Sequence, residues 1–517
     1  MPNMKAHHSS SRNFVMMFLL MTMMVFCYHW SVVVASNDER FNLLTKWMRE
    51  EEHSEVNDNL FEIKQVVDFG KALVATKDIK QNTILFKLKQ ETLLDSKFIF
   101  EKLFKHENAK SLDTLKRLQE GDLSIFNAMV LMIVYLFNLA QSSNPEMKFD
   151  ADAVKFTPYI GSLPRPFRDE GPKVAFLFGG EELTLLKGST LLPSALTRRQ
   201  SIANSFQKIV NPLLNDLTVL EPIRNTSSIT LGLFEHFVSL SWSRIHSIYD
   251  YRIKTDRSCF VPLGDIINFS KTGANVISYT DKKTNELIFK TSKRVKAGNQ
   301  LFVKYGKLTP TLNHILMMDY GFCPLDDPEI EFLNNTITVI DMRESVMRRM
   351  STVDKKLNNQ RVRLLSMTSL DEYHLTQTLY YNDDSFNLVE HTLSEIFDPN
   401  IIAIMRILSC DSVEIKALSD IANSLAPLDQ KRDMIAKILI NPISDRNEKI
   451  VIETIRGLIK QRLDNIIEMI QENESILGKR LPVTMSQKCA VRYIQSEKKI
   501  LEIYLKILTP TTRKDEL

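Results

Sequence analysis

Apolar positions follow three different patterns along this chain. From Phe14 to Val34 they form a nearly unbroken run. Phe41 to Glu51 then shows the three-to-four spacing that predicts a short helix. Between Phe61 and Leu88 the pattern shortens to the β-rich pieces Ala72–Ala75 and Thr83–Phe86 around a polar turn at Lys77–Asn82, which predicts two strands about a turn. Helical spacing dominates from Glu101 to Leu233. Inside it, the apolar stretch Ala128–Phe137 is too short to cross a membrane and is bracketed by Asn127 and Asn138, so it predicts a buried helix. Strand-like pieces return before Val303. Beyond Glu331 long amphipathic helices take over, with Val451, Ile455, Leu458, Ile459, Leu463, Ile466, Ile467 and Ile470 keeping one helical face. Asp445 with Glu448 predicts a capping box at the start of that helix, and Gly478 marks its stop. The sequence shows neither internal repeats nor low-complexity tracts.

The ends carry addresses. Polar residues with Lys5 and Arg12 precede the apolar run, and Val34-Ala35-Ser36 offers small residues after it. This is the layout of a secretory signal peptide cleaved near Ser36; the competing reading is an uncleaved anchor, since about 20 apolar residues span a bilayer. Either way, the positive charge before the run sends the body of the chain to the lumen. The chain closes on Lys514-Asp515-Glu516-Leu517, a KDEL address that a receptor of the endoplasmic reticulum reads. Asn225, Asn334 and Asn473 head Asn-x-Ser/Thr sites that a luminal chain would expose to glycosylation.

Composition narrows the class without choosing within it. At 517 residues, with 44% hydrophobic and 25% charged residues, the chain is long enough for two or three folded domains. A net charge of +3 argues against a nucleic-acid partner. Five cysteines without a CxxC pair argue against a zinc site or a disulfide framework.

The chemistry is carried by an ordered set of short segments. Gly70-Lys71-Ala72-Leu73-Val74-Ala75 opens the set, and Thr157-Pro158-Tyr159-Ile160-Gly161-Ser162-Leu163-Pro164 and Trp242-Ser243-Arg244 follow. Then come Cys259 to Ser270, with Asp265-Ile266-Ile267-Asn268-Phe269 inside, the run ending at Tyr305-Gly306, Asn313, and Asp319-Tyr320-Gly321-Phe322. In this order they resemble a SET domain, in the branch typified by the Rubisco large-subunit lysine methyltransferase. The C-terminal segments Ile401–Leu408 and Ala490–Leu501 resemble that branch's helical domain. The implied fold is α+β: a β-rich SET fold over 37–330 with a helical insert near 101–233, then an all-helical substrate-binding domain over 331–510.

The resemblance implies S-adenosylmethionine as cofactor, no metal, and methyl transfer to a protein lysine, with histidine as an alternative target. A catalytically inactive binding or scaffold protein is the rival, because Ala72 and Phe269 replace a glycine and a histidine of the family pattern. In-line methyl transfer needs a bound methyl donor, a neutral nucleophile and a narrow path that aligns them. Tyr305 would sit beside the transferred methyl. Gly70, Lys71, Ala72, Arg244, Asn268, Phe269 and Phe322 would hold the cofactor, and Arg244, Asp265, Tyr279 and Tyr320 would meet the substrate. Gly70 lets backbone approach a ligand closely, a guanidinium offers paired donors to a carboxylate, and aromatic walls favour cations by ~0.5–2 kcal/mol each. A protein substrate would dock on the C-terminal helices.

Overall fold

The computed structural model describes residues 37–50, 52–66, 69–95, 101–144, 155–166, 173–223, 229–270, 273–304, 313–323, 337–342, 355–367, 376–380, 392–478 and 484–509. The leader, the KDEL terminus, Tyr305, Asn225 and Asn334 lie outside the described residues. The chain divides into two compact units, one of residues 1–171 with 200–305 and the other of residues 172–199 with 306–517.

The first unit holds most of the strands. β1 (Glu55–Val56), β4 (Ile84–Leu88), β10 (Leu287–Thr291) and β9 (Val276–Thr280) form one antiparallel sheet in the order β1-β4-β10-β9. A second ladder pairs β2 (Phe61–Val66) with β3 (Gly70–Ala75) in the register Phe61↔Ala75 to Val66↔Gly70. A third sheet orders β5 (Leu94–Asp95), β7 (Thr255–Phe260) and β6 (Ile245–Asp250). The two strands predicted around Lys77–Asn82 therefore exist but do not pair with each other. β3 takes β2 and β4 takes β1 and β10, because the turn's amides bond elsewhere: Ile79 pairs with Val295 and the Asn82 N–H donates to the Thr291 carbonyl at 2.8 Å.

Helices pack beside these sheets. They include α1 (Asn37–Glu50), α2 (Leu123–Ser143), α3 (Thr157–Ser162) and α4 (Leu231–Arg244). α2 contains the predicted apolar stretch, and Ala128 through Val134 are all buried. It is long and apolar enough to cross a membrane, yet most of it is buried, the Tyr135 ring lying tilted with its centroid 5.1 Å from that of Phe237 of α4. Of its polar brackets, Asn127 is buried, and Asn138 donates to the Val134 carbonyl at 2.7 Å and accepts from the Thr157 hydroxyl.

Among the described residues the second unit is helical, with one two-stranded ladder, β12 (Ile337–Asp341) with β13 (Thr376–Tyr380), where helices alone were expected. Its core is built on α5 (Pro399–Ser409), α6 (Asp445–Leu477) and α7 (Met485–Ile507). Val451, Ile455, Ile459, Leu463 and Ile466 of the predicted face are buried, and Leu458, Ile467 and Ile470 flank them. The predicted cap is displaced by one residue. Ser444 accepts from the Asn447 N–H at 3.0 Å, and Glu448 instead takes a two-pronged ion pair from the fully buried Arg406 at 2.6 and 2.8 Å. A buried guanidinium needs a charged partner more than an exposed helix end needs a second cap. Asn473, expected as a glycosylation site, is buried and donates to the Leu185 carbonyl at 2.8 Å, which closes that site to a glycan.

Candidate active site

Two groups of predicted residues come together in the first unit. The first centres on Asp265. α4 ends at Arg244 and runs straight into β6, so a cation caps the negative end of the helix. Asp265 stands in a single 3₁₀ turn, Gly264–Ile266. The turn is sterically dictated: a Cβ on Gly264 would lie 2.6 Å from Val261 Cγ1 and 2.7 Å from the Phe289 ring. Leu263, just before it, is buried at a φ of +62°, a backbone region that branched side chains avoid and that clusters at functional sites.

That turn aims Asp265 inward. Arg244 Nη1 donates to the Asp265 carbonyl at 3.0 Å and to Oδ2 at 3.2 Å, and the Asp265 side chain is 1% exposed. Tyr159 of α3 donates its hydroxyl to the same Oδ2 at 2.8 Å. Burial, with the Asp265 charge adding, pushes the Tyr159 hydroxyl well above its ordinary range, so it remains a proton donor. Burial also lowers His246, opposed by Asp265 and helped by Arg244, so this imidazole is neutral near pH 7 and adds no second cation beside Arg244. Asp265 Oδ1 is buried with no hydrogen-bond partner among the described residues.

The second group centres on Asn268. β8 (Asn268–Phe269) lies parallel to β11 (Phe302–Val303), pairing Asn268 with Phe302 and Phe269 with Val303. Parallel neighbours this short mark a chain crossing rather than a sheet. The side chain of Asn268 ties the crossing to β3, its Nδ2 donating to the Lys71 carbonyl and to Gln300 Oε1, both at 3.2 Å. β3 starts at Gly70, whose φ of +72° suits glycine, and the Leu301 N–H donates to the Leu73 carbonyl at 2.8 Å.

The two departures from the family pattern, Ala72 and Phe269, are both buried. Ala72 is fully buried opposite Lys64 and is absent from the positive-φ positions among the described residues, so its methyl costs no backbone strain. Phe269 is 7% exposed and enters the crossing through its backbone, its ring being packed away. Lys71 sends its ammonium 4.9 Å from the Phe41 ring of α1.

Tyr279 sits 40% exposed on β9 with the Lys290 ammonium 5.2 Å over its ring; Ile277 and Ser278 before it are exposed as well, so this stretch of the strand faces solvent without alternating. Tyr320 and Phe322 belong to the second unit, their rings edge to face at 6.4 Å. A π-type turn, Leu316–Tyr320, ends at Gly321 with φ +79°, where a Cβ would lie 2.6–2.7 Å from the backbone of Lys173 and Val174. Burial, with Asp319 adding, raises the Tyr320 hydroxyl. Sequence reasoning did not assign roles to Tyr159, His246 or Gln300. Tyr159 had a signal, the Thr157–Pro164 segment; nothing in the sequence marks the other two.

Comparison with known proteins agrees with this geometry. Residues 70–306 match the SET domain family, and residues 353–501 match the family described as Rubisco LSMT substrate-binding. A chloroplastic [fructose-bisphosphate aldolase]-lysine N-methyltransferase of Arabidopsis thaliana is 24% identical over 332 residues, which is 62% of this chain and 59% of that protein's length. Among solved structures, the SET domain of LSMT bound to lysine and AdoHcy superposes with a TM-score of 0.61 at 19% identity over 91% of both chains. Rubisco LSMT bound to AdoMet gives 0.60 at 17% identity over 92% of both chains. The chain therefore carries a SET domain followed by a Rubisco LSMT substrate-binding domain, and its fold is that of the superposed LSMT structures.

Proposed function

We propose that this chain is an S-adenosylmethionine-dependent protein-lysine N-methyltransferase working in the lumen of the endoplasmic reticulum. The observation that carries the reading is the Asn268 crossing, where one side chain ties β3, opened by the positive-φ Gly70, to the segment that leads to Tyr305. Related proteins act accordingly: the Arabidopsis relative is named for lysine methylation, and the superposed structures are titled with AdoMet, AdoHcy and lysine.

The residues fit the cofactor chemically. S-adenosylmethionine supplies a methyl on a sulfonium together with an amino acid moiety. Open backbone at Gly70 and the amide of Asn268 suit a ligand laid along the crossing. Arg244, oriented by Asp265 and Tyr159, gives the cation that a carboxylate needs. The unsatisfied Asp265 Oδ1 calls for an N–H donor, and a bound amine supplies one. Tyr305 is assigned by motif to orient the deprotonated lysine amine, whose nitrogen forms the new C–N bond as the C–S bond breaks. Tyr320 and Phe322 are assigned by motif to the substrate channel and the adenine. The substrate-binding domain suits a protein substrate, and the KDEL terminus suits a receptor that returns the chain to the lumen.

Calorimetric titration of S-adenosylmethionine into the purified protein tests this, beside Asn268→Ala and Tyr305→Phe. The expected result is saturable binding that Asn268→Ala abolishes and Tyr305→Phe retains, with methyl transfer lost in both. No binding by the folded wild type would replace the enzyme with a scaffold on the same fold.

A further inference from the structure

Two of the described cysteines are neighbours in space though 166 residues apart in sequence. Cys323 directly follows the Tyr320-Gly321-Phe322 corner, and Cys489 lies on the first turns of α7; both are fully buried in one apolar cluster of the second unit. The Cys323 N–H donates to Cys489 Sγ at 3.1 Å, and Cys489 Sγ lies 3.8 Å from the Cys323 carbonyl. One sulfur is thus already against the other residue's backbone. Tyr493, one helical turn beyond Cys489 on the same face of α7, is buried in the same cluster as both cysteines. The remaining described thiols have different surroundings. Cys259 belongs to β7 in the first unit, where burial raises its thiol. Cys410 sits in a separate core, its thiol pushed up to about 12 by burial.

We propose that Cys323 and Cys489 form a structural disulfide that fastens the Tyr320–Cys323 corner to α7. The inference goes beyond the methyltransferase reading and rests only on its luminal placement, where such oxidants are present. The oxidant is a disulfide, either a small-molecule one such as glutathione disulfide or that of an oxidoreductase. One cysteine thiolate attacks the oxidant to give a mixed disulfide, and the second displaces it. Two S–H bonds become one protein S–S bond, and the two electrons and two protons leave on two reduced thiols. Because both sulfurs are buried after folding, the exchange belongs to the folding reaction, when they are still accessible. Closing so long a loop removes entropy from the unfolded chain and raises stability.

The test is to refold the full chain in a mixed reduced and oxidised glutathione buffer, alkylate it after denaturation, and map the peptides. The expected result is a linked pair of peptides carrying Cys323 and Cys489, with the other cysteines alkylated, and a melting temperature that drops when reductant is added. In Cys323→Ser, or in Cys489→Ala should the first not fold, the partner cysteine is alkylated and the reductant-sensitive shift is gone. Complete alkylation of both cysteines in folded, oxidatively refolded protein would overturn the proposal, as would a link from either one to a different cysteine.

Discussion

Arg244 and Asp265 show what single residues contribute here. A guanidinium at a helix end is ordinary, and so is an aspartate in a turn. Held together at 3.2 Å with Tyr159 donating to the same oxygen, they form a small buried triad with one cation and one carboxylate. Tyr159→Phe removes one donor from a buried anion, a loss of about 1.5 kcal/mol, or roughly tenfold in affinity. The expected outcome is tenfold weaker S-adenosylmethionine binding with the fold retained, read by calorimetry beside circular dichroism. Unchanged affinity would make the hydroxyl a packing feature only. Arg244 and Asn268 were legible because they stand inside ordered motifs. Tyr279 has no such motif around it, and a tyrosine carries no mark of the strand face on which it lands.

At the scale of elements, prediction of existence outran prediction of partners. The helical faces around 445–477 were legible because a period of 3.6 is written along one segment. Strand pairing and capping were not, because each depends on segments far away in sequence: Thr291 and Val295 claim the turn after β3, and Arg406 claims Glu448. α7 has a similar hidden dependence. Its Glu497 is fully buried, accepts from the Thr190 N–H at 2.8 Å, and pairs with Arg462 at 3.3 Å. Burial pushes its carboxyl from an ordinary 4.5 up to about 7, with Arg462 and Thr190 opposing. The folded state therefore binds this proton more tightly than the unfolded chain does. Its stabilising contribution is full below pH 4.5, is lost as pH rises to about 7, and is constant beyond. Glu497→Gln should flatten that slope, gaining up to roughly 3 kcal/mol on wild type between pH 5 and pH 8. Urea midpoints across that range check it; parallel curves for the two proteins would mean that Glu497 is ionised when folded.

At the scale of the whole molecule, contacts divide the chain at other places than sequence order does. Residues 172–199, inside the 70–306 match to the SET family, cluster with the second unit. Lys173 and Val174 lie where a Cβ on Gly321 would be, and the Thr190 N–H bonds Glu497. The proposed luminal address is also a property of the whole chain. Removing Lys514–Leu517 should release the protein into the medium of secreting cells while the intact chain is retained, as blotting of cells and medium would show. Equal retention of both would end the receptor reading.

The sequence by itself determined the family, the order of the site segments and the helical faces, because each is encoded in residues close together along the chain. Tertiary structure alone decided which strands pair, that Asp265 is the shared acceptor of Arg244 and Tyr159, that Asn473 is buried, and that Cys323 meets Cys489. Those outcomes rest on contacts between segments tens to hundreds of residues apart. Local propensity says nothing about such contacts, and the packing of a buried core settles all of them at once.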